Sequence, residues 1–339
     1  MARRGVLSAG TWCVDLNKTI DAWPQEDTAS PIRAFDRQGG GPGYNMASAL
    51  KRLDPDLPVE AMGLIGEDGD GRMLLEACDG FGIGRSGLKA TAAAATFFSD
   101  CFNAKAGGKR THFFYAGAGD LMSPADFDFA GTRARHMHLG LPGVHRAMDG
   151  PQGGEANGWV AVLKAARASG LKTNLELVTL TRERVRQLGA PCLPHLDTLI
   201  VNDFEVGALA GIETRGDGRA DPAAILEALK VIIAMGPLEI VAAHFPEGGI
   251  ALTREGAVAA CGSVAIPAGE IAGVNGAGDS FAAGMLYGLH EGWSPARCLA
   301  LGHSSAAQSM REVPTTSGIK PVQACLDEAA RWGYRASPL

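Results

Sequence analysis

The sequence predicts an α/β fold built on a mainly parallel sheet with helices over both faces. Short apolar runs such as "VEAMGLIG", "HMHLGLPG", "LKTNLELV", "DTLIVND" and "LEIVAAHF" read as buried strands. Helical stretches separate several of them, and strand–helix alternation implies parallel pairing through crossovers. One region breaks the alternation. "AAAATFFSDCFNAKAGGKRTHFFYAGAG" holds two strand-like runs around Gly107-Gly108, which suits a β-hairpin projecting as a lid.

The elements follow in order along the chain. "MARRGVLSAG" starts like a signal peptide, with Arg3 and Arg4 ahead of a few apolar residues, but Asp15 interrupts the run too early, and the segment reads as strand one. "YNMASALKRL" puts Met46, Leu50 and Leu53 on one helical stripe. "GWVAVLKAARASG" ends at a Gly170 C-cap, and "DPAAILEALKVIIAMG" begins with Asp221 at the N-cap and Pro222 at N1. Phe281, Met285 and Leu289 recur at helical spacing, so a helix starts near Asp279. "HEGWSPARCLALGHSSAAQSM" and "PVQACLDEAARWG" read as C-terminal helices. No linker, repeat or low-complexity block divides the chain, so residues 1–339 are expected to form a single domain.

Composition narrows the function. Of 339 residues, 46% are hydrophobic and 20% charged, which is globular composition, and the net charge of -6 without a basic run argues against nucleic acid and anionic membrane as partners. No window approaches 18 uninterrupted apolar residues, so no membrane span is expected. Seven scattered cysteines without a C-x-x-C pair read as reduced thiols of a cytoplasmic protein.

Several familiar motifs fail. The Gly108-Lys109 pair is followed by Arg110, not by the Ser or Thr of a P-loop. "GGGPGYNMA" has Tyr44 where a dinucleotide fingerprint needs its third glycine, and Arg72 and Met73 spoil a calcium loop from Asp68. His136 and His138 share a strand face with no carboxylate or cysteine nearby in sequence, which favours packing over metal binding.

Two glycine-rich segments carry the chemistry. In "NGAGDSFAAGMLYGL", Gly276, Ala277 and Gly278 approach a helix N-terminus whose free amides and dipole suit a phosphoryl group at close range. Asp279 at the rim would accept the proton of an attacking hydroxyl while the amides hold the transferring oxygens. The alternative is an N-capped helix and nothing more. In "QGGGPGYNMASALKRL" a second flexible loop enters an apolar helix, with Asn45 in its first turn and Asp15 ending an earlier strand.

Together, "GGGPGYNMASAL" and "NGAGDSFAAG" resemble the two signatures of the ribokinase-like (PfkB) carbohydrate kinase family. "AGTWCVDLN" is similar to its first strand, "GLIGEDGDGRMLLEACDGFGI" to its G-x-D-x-x-G segment and "VNDFEVGALAG" to its N-x-x-E segment. The resemblance implies a three-layer α/β/α sandwich with a small β lid, built from about 12–38 and 95–118, and transfer of the ATP γ-phosphate, with Mg2+, to a hydroxyl of a sugar or sugar acid. It makes Asp279 the general base and Gly276, Ala277 and Gly278 the anion hole. Asp15, Gly40, Gly41 and Asn45 would bind acceptor hydroxyls. Asn202 and Glu205 would position Mg2+ through water, and with Asn275 and Gly248 they make up the nucleotide side. Asn174 and Glu176, on one face of "LKTNLELV", fall to the phosphate and acceptor sides respectively. Arg110 and His112 in the lid would meet a carboxylate or hydroxyl on the substrate. The resemblance is compatible with a homodimer through the lid.

This chain also departs from the pattern. Gly273 and Val274 replace the Asp-Thr pair that helps many members hold a monovalent cation, so that cation is not carried over. Phe245 stands where the nucleotide segment usually has glycine, which places a bulky ring near the phosphates. Two other readings stay open: a nucleoside kinase of the same fold, with Trp12, Trp23 or Phe102 stacking on the base, and a sugar-binding protein whose nucleotide site has drifted.

Overall fold

The computed structural model describes residues 3–106 and 110–339. Its main sheet has nine strands in the order β15-β14-β13-β10-β9-β8-β1-β4-β5. These are β1 (Val6–Gly10), β4 (Val59–Gly66), β5 (Gly84–Thr91), β8 (His136–Gly140), β9 (Lys172–Leu175), β10 (Thr198–Asn202), β13 (Ile240–Phe245), β14 (Gly248–Thr253) and β15 (Val258–Gly262). Neighbours from β13 through to β5 pair in parallel, and β14 and β15 add an antiparallel edge.

Side chains alternate across this sheet and feed two cores. Leu7, Met137 and Leu139 point to one face and pack with Trp159, Val160 and Leu163. Val6, Ala61 and Ile65 point to the other and pack with Met46, Leu50, Phe281 and Met285. On the first face lie α4 (Gly158–Ala168), α5 (Arg182–Gly189), α6 (Asp203–Ala210) and α7 (Pro222–Ala234), with the short α3 (Arg146–Asp149) beside α4. On the second lie α1 (Gly41–Leu53), α2 (Gly69–Phe81), α8 (Ala277–His290), α9 (Pro295–Ser309) and α10 (Val322–Trp332). Local signals start and stop these helices. Asp68, Asn157 and Asp221 cap α2, α4 and α7 with their side chains, and Gly170 just past α4 adopts the left-handed conformation at φ +81°.

A second, four-stranded sheet forms the lid, in the order β3-β2-β6-β7, from β2 (Cys13–Ile20), β3 (Ile32–Gly40), β6 (Phe98–Ala104) and β7 (Arg110–Tyr115). β6 and β7 pair antiparallel as the hairpin reading expects, while its Gly107-Gly108 turn lies outside the described residues. A two-rung ladder, β11 (Arg215–Gly216) with β12 (Arg219–Ala220), follows α6.

The boundaries differ from expectation in three places. What reads as one N-terminal strand is two: the chain leaves the main sheet at Gly10 and enters the lid at Cys13. Glu176 lies just beyond β9, though its amide still donates to the Leu139 carbonyl. α8 already begins at Ala277, with Gly276 at its N-cap.

Candidate active site

A cleft of about 540 Å3 opens between the lid and the carboxyl ends of β8, β9, β10 and β13, where open parallel sheets place their ligands. At its floor stands the N-terminus of α8. Gly276 sits at φ +75°, in the left-handed region, and a Cβ there would come within 2.6 Å of Thr315, so only glycine fits the turn. No side chain caps this helix, and the first-turn amides of Ala277, Gly278 and Asp279 face the cleft without an intrahelical partner.

Asp279 is held from the side by Asn45, whose Nδ2 donates to Oδ2 at 2.7 Å. The Asn45 amide is itself oriented, because Thr315 Oγ1 donates to its Oδ1 at 2.8 Å. Asp15 faces Asp279 from β2, and a side chain at Gly40 would collide with the Asp15 carboxyl. Burial, then the Glu176 carboxyl alongside, hold Asp279 well above the usual carboxylate range. Burial followed by the Asp279 charge raises Asp15 to about 7, and burial raises Glu176 to about 7.

From the lid, Arg110 Nη1 reaches Asn275 Oδ1 at 2.9 Å, spanning the cleft in front of the α8 terminus. His112 hangs beside it, 3.3 Å from Ser99. Asn202 and Glu205 cap α6 reciprocally: Asn202 Oδ1 accepts from the Glu205 amide at 2.8 Å, and Glu205 Oε2 from the Asn202 amide at 3.1 Å. Thr179 Oγ1 donates to Glu205 Oε1 at 3.0 Å. Both carboxylate oxygens of Glu205 are therefore engaged, and burial lifts it to about 7. Among the described residues no group of three or more His, Cys, Asp or Glu side chains is arranged to hold a metal directly. The pair suits an outer-sphere hold on a hydrated Mg2+, which keeps its waters reluctantly exchanged.

Most of the expected site residues meet in this cleft: Asp15, Gly41, Asn45, Arg110, Glu176, Asn202, Glu205, Asn275 and the Gly276–Asp279 loop all line it. Three do not. Gly40 stands behind Asp15, Asn174 is buried in the sheet, and Gly248 opens β14 opposite Phe245. Phe245 is corrected too, since its ring packs into the core instead of toward the cleft. So are the stacking candidates: Trp12 is buried, and Trp23 and Phe102 lie against Phe113.

Some cleft residues gave no sequence signal. His244, at the end of β13, stands beside Gly278 and the Phe281 ring, and burial lowers it to about 4. Phe97 and Phe114 stack in the cleft at 5.5 Å. Thr315 lies far along the chain in an irregular segment. His138 does have a carboxylate partner, contrary to the sequence reading: its Nε2 is 2.7 Å from Glu176 Oε2.

A family model described as pfkB family carbohydrate kinase matches residues 4–321. An ATP-dependent ribose-1-phosphate kinase of Halopiger xanaduensis is 26% identical over 209 residues, 60% of this chain and 63% of that protein, so the match spans less than two thirds of the relative. The ribokinase of Arabidopsis thaliana, solved with ribose and ATP, has a TM-score of 0.76 at 20% identity, covering 97% of this chain and 99% of that one. A nucleoside kinase of Methanocaldococcus jannaschii has a TM-score of 0.72 at 16% identity, covering 98% and 100%. At such identities the structural likeness shows a shared fold.

Proposed function

The chain belongs to the pfkB family of carbohydrate kinases, and from that premise we propose that it transfers the γ-phosphate of ATP to a hydroxyl of a small sugar or sugar acid. Asp279, a carboxyl beside an uncapped helix terminus at the cleft floor, carries this reading. It takes the proton of the acceptor hydroxyl as the oxygen attacks phosphorus, and the amides of Ala277 and Gly278 receive the charge on the transferring oxygens. Asp15 and Asn45 orient the acceptor, while Arg110 and Asn275 close the lid over the phosphates. Asn202 and Glu205 would hold the waters of Mg2+, which neutralises phosphate charge when bound.

Asp279→Asn tests this. Turnover should drop about 10²- to 10⁴-fold with acceptor affinity retained, and an unchanged rate sinks the assignment.

A second reading, a nucleoside kinase, is favoured by one observation: the Phe97–Phe114 stack offers an aromatic surface in the cleft. Phosphorylation of adenosine and inosine against hexoses and sugar acids separates the two. A binding-only protein would take up sugar without ATP-Mg2+ in calorimetry.

The protein is proposed to act in the cytoplasm. All seven cysteines are free, and among the described residues no helix is long and apolar enough to cross a membrane. A homodimer through the lid is proposed because Trp23, Phe35 and Phe113 expose about half of their surfaces or more on its outer side, at 52%, 60% and 53%.

A further inference from the structure

Behind Asp279 runs a buried polar chain with no part in the transfer described above. His138 on β8 is wholly buried, and its Nδ1 accepts from Asn174 Nδ2 at 2.8 Å. The ring proton therefore sits on Nε2. That atom is 2.7 Å from Glu176 Oε2, a close contact not aligned as a hydrogen bond, so both atoms keep hydrogen-bonding capacity next to the base. Glu176 in turn hydrogen-bonds the Asp279 carboxyl, and two carboxyls do so only by sharing a proton. The Glu176 side chain keeps 17% exposure, enough to exchange protons with the cleft.

We propose that Glu176 and His138 are positioning residues for the base: Glu176 shares a proton with Asp279 and, with His138 Nε2 packed against its carboxyl, sets how strongly Asp279 takes the proton of the acceptor. This rests on Asp279 being the base. The acceptor O–H bond breaks, its electron pair forms the new O–P bond as the bond from phosphorus to the departing ADP oxygen breaks, and the proton passes to Asp279 within the shared pair. Atoms and charge balance without any further reactant.

The surroundings are consistent. Glu176 pushes Asp279 upward, the Asn45 amide of α1 and then His138 push it down, and the Asp279 charge in turn raises Asp15 of β2. Cys13 faces both Asp15 and Asp279, Arg110 of β7 opposes the charge of Asp15, and Glu205 of α6 faces Glu176. Burial lowers His138 to about 4, so at neutral pH it is an uncharged donor. Such a pair titrates as a unit, and its upper step governs the ionised base.

The test is the pH dependence of kcat/KM for the acceptor at saturating MgATP, which reports the free enzyme's essential base. In Glu176→Gln the acid limb should move to lower pH by about one unit or more, because the neighbouring negative charge is gone. His138→Leu should move it the same way, since Glu176 then takes the proton more readily. The double variant should go no further than Glu176→Gln, and His138→Gln, which restores an N–H donor, should return toward the parent limb. An unmoved limb in Glu176→Gln, or fully additive shifts, overturns the proposal. If His138→Leu fails to fold by thermal melting, the isosteric Glu176→Gln decides alone. Full activity in Asp279→Asn would instead remove the base itself; an inactive Asp279→Asn with an unmoved Glu176→Gln limb removes only the pair.

Discussion

Thr315→Val probes how the base is held. Thr315 is 2% exposed, and its hydroxyl is the donor that fixes Asn45 Oδ1, leaving Asn45 Nδ2 to donate to Asp279. Valine keeps the shape and removes the donor. The buried Asn45 carbonyl is then unsatisfied, which costs about 1–3 kcal/mol of stability. The amide can escape that cost only by turning, and a turned amide points its oxygen at the Asp279 carboxylate. Losing a hydrogen bond to a charged group costs about 1.5–3 kcal/mol, or roughly 10- to 150-fold in kcat if it is made in the transition state. Asp279 also loses a group that lowers its proton affinity, so the acid limb should move to higher pH, opposite in sign to Glu176→Gln. Urea melts give the stability loss, and a pH–rate series with MgATP gives the rest. Thr315→Ser, which keeps the hydroxyl, should behave like the parent. A protein destabilised as calculated but with unchanged kcat and an unmoved limb would show that the orientation of Asn45 does not matter to the base.

Other outcomes follow from the same geometry. Gly276→Ala puts a side chain in left-handed backbone, costing about 1–2 kcal/mol, and drives a Cβ to within 2.6 Å of Thr315; kcat should fall at least about tenfold while circular dichroism stays native. Arg110→Met removes the contact to Asn275 from an exposed position, so stability should hold within about 0.5 kcal/mol while kcat/KM falls about tenfold; equal kinetics would end the latch. Because Asp279 is raised and must be ionised to act, the acid limb of parent activity should lie above the usual carboxylate range, and a limb within that range contradicts this. Trp23→Glu with Phe113→Glu should convert a dimer to a monomer in light scattering, and a parent that is monomeric rules the lid interface out.

The sequence by itself determined the architecture and marked the residues that the cleft gathers. Strand-length apolar runs alternating with capped helices leave few ways to bury both faces of a sheet, and Asp68, Asn157 and Asp221 stand where their helices begin. "NGAGD" marks a helix terminus with an acid at its rim because that chemistry is local: free amides and small side chains lie within a few residues. Less was legible where an element has weak periodicity. β5 exposes much of "GRSGLKAT" at the sheet edge, and the break at Thr11-Trp12 shows no change in apolar character.

Tertiary structure alone decided the partners. Asn45 reads as a residue for acceptor hydroxyls, and only the fold shows that its amide also donates to Asp279, 234 positions away, held there by a hydroxyl 270 positions away. His138 shows no carboxylate nearby in sequence, and the parallel pairing of β8 with β9 brings both Asn174 and Glu176 to its ring. Register explains this: parallel strands juxtapose residues separated by a whole crossover, so such a cluster leaves no spacing in the chain by which to find it. The carboxyl proposed as the base is written in the sequence, and the neighbours that surround it are supplied only by folding.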